Sequence, residues 1–211
     1  MELRIVADLD AIAEEAAGIF ADLHPASVAL SGGRTPRRVY ERLATPASSW
    51  RSVEVFFGDE RCVAPDHPDS NYGMANEALL SKVEANVHPM SGCDARAYER
   101  ELAEVFGEGL PRFDLVFLGL GEDGHTASLF PGDPALLERD RRVLPVERPD
   151  HGRLTLTMPV LSAARVAMFL VSGVSKIGAL QRLLNGEDIP ATQVKAERVV
   201  VLADVAAAGA R

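Results

Sequence analysis

The sequence predicts an α/β fold, a mostly parallel sheet flanked by helices on both faces, and three observations carry that expectation. Strand-like and helix-like segments alternate along the whole chain, the pattern of repeated βα units. Two of the strand-like segments, Leu115–Leu118 and Ala167–Val171, are unbroken apolar runs, as expected of strands buried on both faces. Several strands end in glycine, hydroxyl and charged residues, where open α/β sheets bind ligands. No repeat, low-complexity tract or linker divides the chain, so residues 1–211 are expected to form a single domain.

Arg4–Ala7 reads as a first short strand, followed by a helix capped by Asp8 or Asp10. Ile12, Ala16, Ile19, Phe20 and Leu23 recur there at helical spacing and form a core-facing stripe. His24-Pro25 ends that helix, and Ser27–Leu30 make the second strand. The glycine-rich turn Ser31-Gly32-Gly33-Arg34-Thr35-Pro36 leads into a helix over Arg37–Ala44, with Thr35 as N-cap and Pro36 in the first helical position. A polar loop containing Trp50 precedes the strand Val53–Phe57, which opens into the charged cluster Asp59-Glu60-Arg61. Pro65–Asn71 is a long turn, and Ser70 caps a helix with Met74, Ala78 and Leu79 on its apolar side.

Val87–Met90 reads as a short strand, and Asp94–Phe106 as an amphipathic helix with Tyr98, Leu102 and Val105 on one face. The strand beginning at Phe113 then breaks into Gly119-Leu120-Gly121-Glu122-Asp123-Gly124-His125, with one helical turn expected over Thr126–Phe130 before Pro131-Gly132. Pro134–Arg148 carries a run of mixed charge and reads as a solvated face. Arg153–Thr157 alternates like a strand, and Ser175 caps a helix over Lys176–Leu184 that Asn185-Gly186 terminates. Val199–Ala203 closes the sheet ahead of an alanine-rich tail.

Composition narrows the function. A formal net charge of -9 without a basic stripe argues against nucleic acid as a partner. No apolar run reaches the length of a membrane span, and the first ten residues lack the apolar core of a signal peptide. Cys62 and Cys93 show no C-x-x-C or zinc-type spacing and read as separate thiols in a reducing compartment, so a cytoplasmic protein is expected. His67, set between turn formers, reads as exposed, and no metal constellation is seen.

Four polar clusters end four strands and should share one rim: Ser31 to Gly33, Asp59 to Arg61, Asp123 to His125, and Ser175-Lys176. A glycine turn into a helix N-terminus presents backbone N–H groups at the positive end of the helix dipole, a cradle for phosphate. Lys176 in a first helical turn opposes the dipole, which suits a cation kept to hold an anion. The G-x-G-x-x-G spacing over 119–124 fits a dinucleotide poorly, because Glu122 and Asp123 repel pyrophosphate and Pro131 and Pro134 cut short the helix such a fold needs. Asp59, Asp123 and His125 suit acid–base work on whatever carries the phosphate, and a phosphorylated small metabolite uses every cluster.

The stretches LSGGRTP, FFGDERCVAPDHPDSNYGMAN, FDLVFLGLGEDGHTASLFPG and RLTLTMPVLSAARVAMFLVSGVSK occur in that order over about residues 28 to 180. On these motifs the chain resembles the 6-phosphogluconolactonases, relatives of glucosamine-6-phosphate deaminase, the Gly124-His125-Thr126-Ala127-Ser128 run being the most diagnostic. The resemblance implies a Rossmann-like sheet, no metal or other cofactor, and hydrolysis of 6-phospho-D-glucono-1,5-lactone to 6-phosphogluconate in the oxidative pentose phosphate pathway. It implies His125 as general base, with Asp123 and Asp59 as catalytic carboxylates. It assigns Ser31, Gly32, Gly33, Arg34, Thr35, Arg61, Arg153 and Lys176 to substrate binding, and Arg165 matches another arginine common in the family.

Ser162 departs from the asparagine often found there. The sister deaminase activity is an alternative, but it calls for a glutamate five residues after the histidine, where this chain has Phe130. A non-catalytic sugar-phosphate-binding module is the third reading. Oligomeric state is left open between monomer and homodimer, and the partner of His125 between Asp123 and Asp59.

Overall fold

The computed structural model describes residues 1–44 and 50–209, so the polar stretch before Trp50 and the last two residues of the tail lie outside it. In chain order the elements are β1 (Glu2–Val6), α1 (Leu9–Leu23), β2 (Ser27–Leu30), α2 (Arg34–Leu43), β3 (Glu54–Phe57), β4 (Asp59–Arg61), α3 (Asn71–Ala78), β5 (Asn86–Val87) and α4 (Ala95–Phe106). There follow β6 (Leu115–Gly119), β7 (Val143–Val146), β8 (Arg153–Leu156), α5 (Met158–Ser162), β9 (Val166–Val171), α6 (Ile177–Asn185), α7 (Pro190–Gln193) and β10 (Arg198–Asp204).

Seven strands form one sheet in the order β1-β10-β9-β6-β2-β3-β5, with every neighbouring pair parallel. Its central strands β2 and β9 are buried at every position, as their apolar sequences require of a sheet covered on both faces. The chain runs from β2 outward to β3 and then returns to the other side of β2 with β6. That reversal opens a crevice beyond the carboxyl ends of β2 and β6, the general ligand position in such sheets.

The sequence reading did not anticipate a second sheet, the antiparallel β4-β8-β7. Gly58 joins the two: its N–H donates to Leu30 O at 2.7 Å, and its carbonyl accepts from Leu156 N at 2.8 Å. In the β4–β8 ladder Arg61 stands directly opposite Arg153. A strand pair too short to carry an obvious alternation explains why β4 read as a charged loop.

Side-chain caps start three of the helices, α1, α3 and α4. Asp8 accepts from Ala11 N, Ser70 from Gly73 N, and Asp94 from Arg96 and Ala97 N. Two expected caps are corrected. α2 begins at Arg34, with Gly33 at φ 111° in the cap position rather than Thr35, because only the glycine turns the chain tightly enough. Val174–Lys176 forms a 3-10 turn ahead of α6, so Ser175 lies inside that turn and caps nothing.

Other expectations shift. Thr126–Phe130 is not a helical turn but a tight reversal, with Ala127 at φ 47° and a bridge between Thr126 and Leu129. Val105 is exposed, so the buried face of α4 is Ala95, Tyr98 and Leu102. The expected strand over Val87–Met90 is only the two-residue β5. Pro134–Arg148 holds a 3-10 turn over Pro134–Leu137 and then β7, rather than only a solvated face. Trp50 is core, stacked on Phe20 at 4.6 Å between centroids.

The cysteine reading is overturned. Cys62 and Cys93 form a disulfide, with Cα atoms 5.2 Å apart across 31 residues of chain. They meet because β4 ends beside the short turn Ser91–Cys93, a proximity that spacing in sequence does not reveal. Reduction, or Cys93→Ser, is expected to lower unfolding free energy by roughly 2–4 kcal/mol, as loop closure in the unfolded chain predicts. Urea titration with and without reductant measures it; coincident curves would show that the cross-link does not stabilise the protein. Among the described residues no helix is long and apolar enough to cross a membrane.

Candidate active site

The crevice at the strand reversal is a cleft of about 580 Å³, and every residue assigned from the sequence to catalysis or substrate binding lines it. Ser31, Gly32 and Gly33 come from the turn after β2, and Arg34 and Thr35 from the start of α2. Asp59 and Arg61 come from β4, Asp123 and His125 from the loop after β6, Arg153 from β8, and Lys176 from the turn before α6. Arg165, matched by resemblance, lies elsewhere: it is exposed and pairs with Asp114.

The histidine loop is built by its glycines. Gly121 donates to His125 O at 2.9 Å and Gly124 to Gly121 O at 3.0 Å, closing a compact turn at the end of β6. Thr126 Oγ1 ties the turn back to Gly119 O at 2.9 Å. Within it, His125 Nδ1 lies 2.6 Å from Asp123 Oδ1, and the His125 backbone N–H donates to the same oxygen at 3.0 Å.

Burial works to raise the Asp123 pKa, but these contacts with His125 outweigh it and hold the carboxyl below its ordinary value. The ionised carboxylate has no proton to give, so the hydrogen of this contact sits on His125 Nδ1, and a neutral ring then carries its lone pair on Nε2. The ring also rests on Phe130, 4.5 Å between centroids. Of the two carboxylates left open by the sequence, Asp123 is the one in contact with His125.

Asp59 has a different environment. It is buried, accepts from Ser128 Oγ at 2.6 Å, and receives Asn71 Nδ2 on its carbonyl at 2.8 Å and on its carboxylate at 3.3 Å. Asn71 Oδ1 in turn accepts from Arg61 Nη1 at 3.1 Å, so Asn71 ties the acidic and basic sides of β4 together. A Cβ on Gly32 would clash with the Asn71 amide, which makes that glycine a requirement of close packing.

Sequence reasoning passed over Asn71 and Ser128 because their partners lie 12 and 69 residues away. Glu60, expected on the rim with Asp59 and Arg61, is instead buried at the start of α3 and does not line the cleft. It accepts from Ser70 Oγ and from the backbone N–H groups of Arg61, Asn71 and Tyr72. Burial pushes its carboxyl up against those donors.

The opposite wall is electropositive. Arg61, Arg153 and Lys176 face one cleft with the N-terminus of α2. Among the described residues, the buried side-chain polar atoms without a partner are Ser31 Oγ, Arg61 Nε and Arg153 Nε, and all three residues line this cleft. Buried polar groups are rarely left unpaired, and all three here belong to side chains of this one cleft.

Gly121→Ala probes the loop selectively. A Cβ there would collide with His125 Nδ1 and stand 2.6 Å from Asp123 Oδ1, so the ring must swing away while the backbone keeps an ordinary φ. Catalysis is expected to fall at least about 10²-fold with the denaturation midpoint nearly unchanged. A parallel loss of stability would mean that the side chains cannot yield.

One cluster of ligand-type side chains was not visible in the sequence. His67, Asp69 and His151 each bring a ligand-type atom within 4.8 Å of the others, although His151 lies 82 residues from Asp69.

The family described as Glucosamine-6-phosphate isomerases/6-phosphogluconolactonase matches residues 5–202. The chain is 48% identical to a 6-phosphogluconolactonase of Synechocystis, over 78% of this chain and 73% of that one. It is 36% identical to one of Pseudomonas putida, over 88% and 81%. Among solved structures, a 6-phosphogluconolactonase of Thermotoga maritima superposes with a TM-score of 0.83 at 32% identity, covering 96% of this chain and 99% of that one. A monomeric glucosamine-6-phosphate deaminase also superposes with a TM-score of 0.83, but at 24% identity and over 100% of both chains, which shows the shared fold alone. A match across nearly the whole chain, with relatives this similar, places it: the chain belongs to the glucosamine-6-phosphate isomerase/6-phosphogluconolactonase family.

Proposed function

We propose that the chain hydrolyses 6-phospho-D-glucono-1,5-lactone to 6-phospho-D-gluconate, the lactonase step of the oxidative pentose phosphate pathway. The observation that carries this reading is the placement of the His125–Asp123 pair opposite three cationic side chains and a helix N-terminus in one cleft. The N-terminus of α2, with Ser31 to Thr35, Lys176 and the arginines, holds the phosphate. The lactone ring then lies toward His125.

His125 Nε2 takes a proton from the attacking water as its oxygen bonds to the lactone carbonyl carbon. The carbon–ring-oxygen bond then breaks, and the imidazolium returns the proton to the departing oxygen. Asp123 holds the ring by Nδ1 and balances its transient charge, as the carboxylate of a hydrolytic triad does. Arg61, which lines the cleft with His125, is the donor available to the oxyanion. Asp59, fixed by Ser128 and Asn71, positions the β4 edge and accepts hydrogen bonds from sugar hydroxyls.

Phe130 separates this reading from deamination. It sits against His125 and has no proton to exchange, where the sister activity needs a carboxylic acid. With the cysteines paired, the thiol argument for a reducing compartment falls away, and a cytoplasmic location rests on the reaction alone.

The experiment follows freshly generated lactone by NMR against its spontaneous loss, with ammonia release from glucosamine 6-phosphate in parallel. Accelerated lactone loss without ammonia is expected. Ammonia without lactone acceleration would make the chain a deaminase, and neither would make it a binding module.

A further inference from the structure

His67 and Asp69 lie in the turn between β4 and α3, and His151 in the turn between β7 and β8. Asp69 Oδ2 is 3.0 Å from His151 Nε2 and 3.8 Å from His67 Nδ1, and the two imidazoles meet edge to face at 5.5 Å. Four ligands about 2.0–2.1 Å from a zinc-type ion are spaced about 3.3 Å apart, so these separations bracket a tetrahedral edge. All three side chains are at least partly exposed, which gives an ion a path from solvent.

From this geometry we infer that His67, Asp69 and His151 form a binding site for a zinc-type divalent ion, separate from the catalytic cleft. None of the three lines that cleft. Two imidazoles and one carboxylate favour zinc, cobalt or nickel over magnesium or calcium, which take oxygen donors. Three protein ligands leave the fourth position to water.

The location gives the ion a consequence. The two turns it would join lead into the paired strands that carry Arg61 and Arg153. Arg61 Nη1 already donates to Asp69 O at 2.7 Å, and Arg153 Nη2 to Asp150 Oδ2 at 2.6 Å. A bound ion would cross-link both turns at the open end of that ladder, beyond the arginines. The histidines are not needed for the lactonase chemistry, so the inference stands apart from it.

Calorimetric titration of zinc chloride into the full chain, in a phosphate-free buffer cleared of metals, tests the site. Cobalt absorption in the visible range gives a second readout of tetrahedral nitrogen and oxygen ligation. One equivalent is expected to bind, with affinity at least tenfold weaker in His151→Ala and in Asp69→Asn and unchanged in His125→Ala. Magnesium is expected to give no saturable heat. These are surface positions, and matching far-UV circular dichroism identifies folded variants. Absence of saturable 1:1 uptake would overturn the inference. So would uptake that survives both surface substitutions, or that disappears with His125, which would put the ion in the catalytic cleft.

Discussion

His125→Ala is expected to slow enzymatic lactone hydrolysis by roughly 10²–10⁴-fold, the span that general-base catalysis by a positioned side chain supplies. Because the substrate also opens unaided in water, the variant's rate should approach the spontaneous one at low enzyme concentration. The measurement is therefore initial lactone loss at several enzyme concentrations, where the slope against enzyme separates residual catalysis from background. Folding should be little affected, since the ring is partly exposed and lies at the mouth of the cleft beside Phe130 and Asp123. A slope within threefold of wild type would remove His125 from the chemistry and leave the cleft as a binding site with another base.

Gly124→Ala, one residue earlier, should fail for a different reason and by unfolding. Gly124 has φ +92°, and a Cβ there would stand 2.7 Å from Ile189 Cβ and 2.8 Å from its Cγ2. Ile189 is fully buried, and the Gly124 carbonyl accepts from Ala191 N at 3.1 Å, so neither side can retreat. Positive-φ strain of about 1–2 kcal/mol and overpacking of about 1–3 kcal/mol together predict a loss of roughly 2–5 kcal/mol. Urea denaturation reads it directly. A variant as stable as wild type would mean that α7 moves aside at little cost, and that this glycine serves the loop's conformation only locally. The contrast with Gly121→Ala is informative, because one glycine precedes the dyad, the other sits between its members, and only the second is backed by core.

Most of the fold was legible because its signals are local. Apolar runs such as Leu115–Leu118 and caps such as Asp8, Ser70 and Asp94 lie within a few residues of what they determine. The candidate site was legible for a related reason: strand ends of a parallel sheet share a rim, so clusters distant in sequence fall together once the fold class is known. What escaped depends on pairings between remote segments. The antiparallel sheet sets the three residues of β4 against β8, more than ninety positions later, and no periodicity in three residues announces it. The disulfide, the Asn71 bridge and the His67–Asp69–His151 cluster all hang on that same sheet and its turns. Glu60 escaped because a carboxylate plugging a helix start looks, in sequence, like any surface acid.

The opposition of Arg61 and Arg153 in the β4–β8 ladder sets two like charges directly across a strand pair. Like charges set directly across a strand pair repel, and here each guanidinium also keeps a buried Nε without a partner. Carboxylate and carbonyl neighbours offset this only at the outer nitrogens. A multivalent anion settling between them would relieve both deficits at once and lock the small sheet to the large one. The melting temperature should therefore climb with phosphate or sulfate and with the reaction's own product, well beyond the effect of chloride at equal ionic strength. Buffer choice would then add to the apparent robustness of this protein, and its own product would stabilise the sheet that holds it.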